Sequence, residues 1–334
     1  MNSCAVAERT AVILFNLGGP DKPESVRPFL QNLFSDPAII GLPFFMRLPL
    51  AKLMAARREE KAQDIYAKIG GKSPLLENTS KLAAALEHEL GEGFRCFVSM
   101  RYWHPFSRET AQQVGIYKPD KTVFLPLYPQ FSTTTTASSF RDFPKKPDAK
   151  ICCYPANEGF IKAQADLIKP VLQQAGSFGS PRLLFSAHGL PEKTVQSGDP
   201  YQWQCEQTAL ALVRELGEDV DFVNCYQSRV GPLNWIGPST EGEIRRAGYE
   251  GTPVVVVPLS FVSEHSETLV ELDIDYHKLA WEQKVPFYGR VPTVGTHPAF
   301  IRGLADMVQK ALAGEKPCAI TCPSGFGACP CQRE

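Results

Sequence analysis

A histidine and a run of carboxylates are the residues whose types and spacing could do chemistry. His188 directly follows the apolar run 182-RLLFSA-187 and precedes Gly189, Leu190 and Pro191. A sharp turn after a buried strand fixes such an imidazole at the mouth of a site, where it can act as base or metal ligand. Further along, Glu267, Glu271 and Asp275 follow at i, i+4 and i+8, with Glu264 three positions before the first. On a helix this spacing stacks carboxylates along one side, at a cost of about 0.2–0.5 kcal/mol per like-charged pair. A solvated acidic face is the commoner meaning of such a run. This one begins at a strand end beside His265 and meets no basic residue until Lys278. It can therefore also conduct a divalent cation or protons. Oxygen ligands with one imidazole hold Fe²⁺ or its neighbours loosely, which suits a metal that is passed on.

Cations and flat aromatic surfaces accompany these groups. Arg101, Tyr102 and Trp103 lie in one half of the chain and Tyr226, Arg229 and Trp235 in the other. Together they suit a large planar anionic ligand, held by contact with its plane and by guanidinium groups on its carboxylates. Taken singly, each aromatic is more often core. His88 reads as an exposed helix residue, and His104, His277 and His297 as structural. The glycines form neither GxGxxG nor a Walker loop, so nucleotide binding is unsupported.

Ten cysteines are spread unevenly. Cys318, Cys322, Cys329 and Cys331 fall in the last 17 residues, and Cys322, Cys329 and Cys331 form C-x6-C-x-C in a Pro/Gly-rich stretch. Four thiolates bind a 2Fe–2S cluster or Zn²⁺. The plainer reading is a frayed tail of thiols.

The elements that must position these groups alternate. Strand-like runs lie at 11–17, 95–100, 121–128, 150–154, 182–187, 220–226 and 253–260, and helical patterns at 50–69, 78–91, 158–175, 201–216, 266–284 and 298–313. Several runs are apolar without alternation, as in parallel strands buried on both faces. The alternation points to open α/β sheets, one per half, in which ligands sit beyond the carboxyl ends of the strands. The halves also look related. 14-LFNLGGP-20 parallels 184-LFSAHGLP-191, and 123-VFLPLYPQFS-132 parallels 255-VVVPLSFVSE-264. Aligning Phe15 with Phe185 and Pro126 with Pro258 leaves the first copy longer by an insertion near 39–75. There Phe44, Phe45, Met46, Leu48, Leu50, Leu53 and Met54 crowd ahead of Arg57, Arg58 and Lys61. The insertion reads either as a helical hairpin packed on the core or as an apolar lip beside a cleft.

Composition bounds the function. At 334 residues the chain holds about two domains. Lys+Arg 35 against Asp+Glu 36 argues against a basic nucleic-acid-binding face. Hydrophobic content of 43% with 21% charged excludes a disordered chain. No apolar run of bilayer length occurs, and the first fifteen residues lack the marks of a secretory signal. A cytoplasmic address is expected.

Taken together, 15-FNLGGP-20, 70-GGKSP-74, 100-MRYWHP-105, 185-FSAHGLP-191, 226-YQSRVGPLNWIGPST-240 and 261-FVSEHSETLVELD-273 resemble the ferrochelatase family over nearly the whole chain. The resemblance implies two Rossmann-like, doubly wound parallel-sheet domains related by pseudo-duplication, as in the class II chelatases. It implies insertion of Fe²⁺ into protoporphyrin IX with release of two protons. A haem or porphyrin carrier without turnover is the alternative. His188 and Glu267 match the catalytic and metal-binding pair, and Glu271 and Asp275 the acidic ladder. Leu17, Arg101, Tyr102 and Trp235 match residues around the macrocycle, and the apolar Leu17 resembles the protoporphyrin-using branch. The tail resembles bacterial members carrying a 2Fe–2S cluster on Cys322, Cys329 and Cys331. The internal ligand falls to Cys152 or Cys153, with Cys318 as rival. The stretch near 39–75 matches the family's active-site lip, implying peripheral contact with the inner face of the plasma membrane. The expected domains are 1–165 with that lip, 166–297, and a C-terminal helix with Cys-rich tail at 298–334.

Overall fold

In the computed structural model, residues 8–330 are described apart from positions 218, 230 and 319. Two four-stranded parallel sheets carry the fold. The first takes β1 (Thr10–Asn16), β2 (Phe94–Met100), β3 (Lys121–Pro126) and β4 (Ala149–Lys150) in the order β2-β1-β3-β4. The second takes β5 (Arg182–His188), β6 (Asp221–Gln227), β7 (Val254–Pro258) and β8 (Tyr288–Arg290) in the order β6-β5-β7-β8. The same order recurs four strands later, which is the repeat that the sequence halves suggest. The register refines the alignment by one residue. Phe15 lies opposite Pro126, whereas Ser186, not Phe185, lies opposite Pro258.

Burial on both faces explains the continuous apolar runs. In β1, Val12 and Leu14 face a core containing Leu82 and Leu86 of α3 (Leu75–Leu90), while Ala11, Ile13 and Phe15 face Ala111 and Val114 of α4 (Ser107–Tyr117). In β5, Leu183 and Phe185 join the first of these cores. Leu184 instead packs with Ile244 and Ala247 of α9, Thr240–Glu250. That first core also takes residues of α6 (Glu158–Ala175), α8 (Tyr201–Leu216) and α11 (Pro298–Leu312), so both sheets share it. α6 runs unbroken through residues 165 and 166, and α11 packs on α6 and α3.

Several elements differ from the sequence reading. Of the run 150–154 only Lys150 joins the ladder, with Ala149 before it, and β8 is additional. α1 (Val26–Ser35), α4, α5 (Thr136–Asp142), α7 (Glu192–Gln196) and α9 were hidden between motifs. The stretch expected as one helix over 266–284 is a π-helix, Glu267–Tyr276, followed by α10, His277–Glu282. Most of the insertion folds as one long helix. α2 (Phe44–Ala67) packs along α1 and buries Ala51, Ala55 and Tyr66. Its first turns leave Phe44 66%, Phe45 74% and Met46 50% exposed.

Candidate active site

His188 ends β5, Gln227 ends β6, and the π-helix follows β7. Three chain segments therefore converge beyond the carboxyl ends of adjacent strands, at the crevice where strand order reverses. His188 Nδ1 and Glu267 Oε2 are 2.8 Å apart. Behind them His265 Nε2 stands 3.8 Å from the same oxygen, while its Nδ1 lies 3.1 Å from the Ser263 carbonyl. The His188 and Glu267 side chains keep 40% and 27% exposure, so the pair is recessed yet reachable.

Electrostatics follows from this geometry. Burial alone pushes the His188 imidazole down, but the charge and hydrogen bond of Glu267, aided by Glu271, raise it above the ordinary value. Burial pushes Glu267 up, and His188 and His265 together drive it well below the usual carboxylate range. From the lip helix, Tyr66 is raised to about 12 by burial, with Glu267 adding to the rise and a Ser266 hydrogen bond opposing it.

The carboxylate column is less uniform than its spacing suggests. Glu271 accepts from Gln227 Nε2 (3.1 Å), Ser228 N (2.8 Å), Ser228 Oγ (2.5 Å) and Tyr276 Oη (3.0 Å). Gln227 also donates to the Glu267 carbonyl at 3.1 Å. Asp275 sits at the surface and pairs with Lys68 of the lip at 3.2 Å. Glu264 leaves the column altogether, accepting from Arg290 Nη1 (2.6 Å) and Thr293 N (2.9 Å). Both cations come from distant chain, so the absence of nearby basic residues did not mean an unpaired face.

The other motifs assemble the walls. Gly18 has φ +87°, in the left-handed region that favours glycine, and a Cβ on Gly19 would stand 2.5 Å from Ser73. The NLGGP and GGKSP turns thus touch, and Ser73 N donates to the Pro20 carbonyl at 2.8 Å. Leu17 packs against the apolar cluster that includes Tyr66, Ala51 and Ala55 of α2. Arg101 Nη2 donates to Asp36 at 2.9 Å, and its Nη1 lies 3.4 Å from Asp142. Tyr102 is 1% exposed and its hydroxyl donates to Asp36 at 2.8 Å. Asp36 also accepts from Ser138 Oγ and from Ala38 N. Arg101 and Tyr102 are therefore gripped by the protein rather than free in the recess. Trp235 bridges to Pro191, and a Cβ on Gly189 would come 3.3 Å from its ring. This laces the HGLP turn to the segment after β6.

The remaining histidines are structural. His104 contacts Glu109 at 2.9 Å, His277 stacks on Tyr288, and His297 caps α11 through Ala299 N. His88 is exposed in the last turn of α3. Gln227, Ser228, Tyr66 and Asp36 were not singled out as site residues, and His265 was noted only as the neighbour of the acidic run. For Gln227 the available signal was a glutamine at the end of a buried strand.

The cysteines gather elsewhere. Cys152 and Cys153 leave β4 with sulfurs 3.5 Å apart, and Cys318 Sγ lies 3.6 Å from Cys153 Sγ. Gln204 Nε2 lies 3.5 Å from Cys153 Sγ and 3.2 Å from Cys322 Sγ. A side-chain hydrogen bond with Cys329, together with burial, raises the Cys322 thiol. Cys331 lies outside the described residues. Among the described residues no three His, Cys, Asp or Glu side chains surround a single-ion site. A 2Fe–2S cluster asks for something else, two pairs of thiolates on separate irons. Buried thiols from the segment after β4 and from the tail are a donor set that fits it.

Residues 9–312 match the family model described as ferrochelatase. A ferrochelatase of Caulobacter vibrioides is 51% identical over 343 residues, covering 98% of this chain and 99% of the relative. The chain belongs to the ferrochelatase family. A ferrochelatase of Phenylobacterium zucineum is likewise 51% identical, over 337 residues covering 97% and 98% of the two chains. Among solved structures, SirB from Bacillus subtilis with Fe3+ superposes with a TM-score of 0.54 at 12% identity, covering 92% of this chain and 96% of that one. That likeness speaks to the fold, and it agrees with the two parallel sheets. The chain is accordingly a metal chelatase of haem biosynthesis, acting on Fe²⁺ and a porphyrin.

Proposed function

We propose that the chain inserts Fe²⁺ into protoporphyrin IX, releasing two protons, and that His188 and Glu267 carry the reaction. The 2.8 Å contact between them supports this most directly. A planar porphyrin hides its nitrogen lone pairs and holds two weakly acidic N–H protons. A site that grips the rim and buckles the ring exposes both, so rim binding offsets strain at the centre. His188 Nδ1–H donated to Glu267 fixes the tautomer and leaves Nε2 to take a pyrrole proton. The carboxylate then stabilises the imidazolium that forms, as in other carboxylate–histidine pairs. Glu267, Glu271 and Asp275 are proposed to receive Fe²⁺ or the departing protons along the π-helix.

Leu17 and Trp235 are assigned to the macrocycle. Arg101, with 17% of its side chain exposed, presents an edge to a porphyrin carboxylate while Asp36 holds it. Tyr102 acts from behind. The apolar Leu17 supports protoporphyrin IX over coproporphyrin III. Anaerobic Fe²⁺ incorporation with the two porphyrins side by side tests this, and preference for coproporphyrin III contradicts it.

Three finer assignments accompany this reading. Cys322, Cys329, Cys331 and one of Cys152 and Cys153 are proposed to hold a 2Fe–2S cluster, which when bound supplies a one-electron couple. The exposed Phe44, Phe45 and Met46 are proposed to rest on the inner face of the plasma membrane. No helix among the described residues is long and apolar enough to cross a membrane. The domains are proposed as 1–165, 166–297 and 298–334, with α6 spanning the first boundary.

A further inference from the structure

The thiol cluster contains one buried amide whose orientation is decided by its neighbours. Gln204 lies in the first turns of α8 and is 0% exposed. Phe131 N, a backbone donor only, lies 2.7 Å from its Oε1. That contact fixes which end of the amide is oxygen. The NH₂ end must then face Cys153 Sγ at 3.5 Å and Cys322 Sγ at 3.2 Å.

A neutral thiol is a weak acceptor, and a fully buried amide donor left with weak acceptors is costly. An anionic sulfur changes that balance, because hydrogen bonds to charged acceptors are about twice as strong as neutral ones. The surroundings hold Gln204 in place for this purpose. Ser132 Oγ and Thr133 N reach Asp199 at 3.0 and 2.7 Å, tying the Phe131 loop to the start of α8. Gln130 Nε2 donates to Thr208 Oγ1 at 2.9 Å one turn further on. The loop and α8 thus hold the donor in this orientation.

We propose that Gln204 donates its amide N–H groups to the cysteine sulfurs of the iron–sulfur cluster and sets its reduction potential. This inference rests on the cluster assignment made above. Gln204 is a tuning residue rather than a ligand. Reduction adds one electron to the cluster and breaks no bond. The added negative charge spreads onto the sulfurs, where an N–H donor stabilises it, so Gln204 raises the potential.

The test is a potentiometric titration of the full-length protein, purified anaerobically and followed by visible absorbance and by the spin signal of the reduced cluster. Gln204→Leu removes the donor. Gln204→Glu keeps the acceptor for Phe131 N and replaces the donor with oxygen, providing a second variant should the first fold poorly. Both variants are expected to retain the cluster absorbance. The equilibrium constant for reduction should fall about tenfold, equivalent to about 59 mV for a one-electron couple, and further in the Glu variant. Loaded variants whose midpoints match wild type overturn the role of Gln204 and leave the cluster intact as a reading. A wild type without iron–sulfur absorbance overturns both.

Discussion

His188 and Glu267 stand 79 residues apart in the chain and 2.8 Å apart in space. Each moves the other away from its ordinary ionisation. The His188 value is raised, so the stabilisation it provides is present at low pH and lost as pH rises through its folded value. The Glu267 value is lowered, so its contribution is present above the carboxylate range and lost only in strong acid. Their combined stabilisation is greatest between their unperturbed values, about 4.5 and 6.5. In the metal-free protein, NMR titration should find His188 above 6.5. In Glu267→Gln the main upward influence is gone and burial remains, so His188 should titrate below 6.5. An unchanged value would show that the pair is not coupled.

Asp36 is the strongest structural prediction outside the pair. Its side chain is 1% exposed and takes donors from Arg101, Tyr102, Ser138 and Ala38. Burial pushes it up, but the Ser138, Ala38 and Arg101 contacts outweigh that and lower it. Asp36→Ala takes this acceptor from Arg101, Tyr102 and Ser138 while Asp142 stays beside Arg101, a loss of about 1–3 kcal/mol for buried donors left unsatisfied. Denaturant unfolding should report a loss of that size, and a loss under 1 kcal/mol would argue against the network.

The lip makes a separate prediction. Exposed apolar side chains add binding to a lipid surface in proportion to the area they bury. Wild-type protein should sediment with vesicles containing anionic lipid, and Phe44→Ser with Phe45→Ser should release most of it. Equal sedimentation of both proteins would remove the lip from membrane contact.

For the tail, wild-type protein purified anaerobically should show reddish iron–sulfur absorbance, and Cys329→Ser should eliminate it. Cys152→Ser, Cys153→Ser and Cys318→Ser made separately identify the fourth ligand, because only the ligand's loss abolishes colour. Retention of colour in Cys329→Ser would dismiss the tail as a ligand source.

How far the sequence reached can be judged residue by residue. α6 and α8 were legible to the residue, since their apolar periodicity stands between clear breaks. The strand at 150–154 was overread. After Lys150 the ladder ends, with Ile151 and Tyr154 in the main core and Cys152 and Cys153 packed with Phe131 and Cys318. Strand ends drew attention to His188 and to the acidic run separately, and only the ferrochelatase resemblance paired His188 with Glu267. The long-range partners were not legible. Nothing local announces that Arg290 neutralises Glu264, or that Lys68 of the lip reaches Asp275. The one-residue offset of the repeat was invisible too, because Phe185 and Ser186 both fit an apolar strand and only the register tells them apart.

The most direct test is single-turnover Fe²⁺ insertion into protoporphyrin IX under anaerobic conditions, with porphyrin binding measured on the same samples. His188→Ala and Glu267→Gln should each bind porphyrin nearly as wild type does. Each should insert iron at least about a hundredfold more slowly, the low end for loss of a positioned acid or base. Insertion within a few-fold of wild type in both variants would contradict the account, as would a wild type that binds porphyrin and never metallates it.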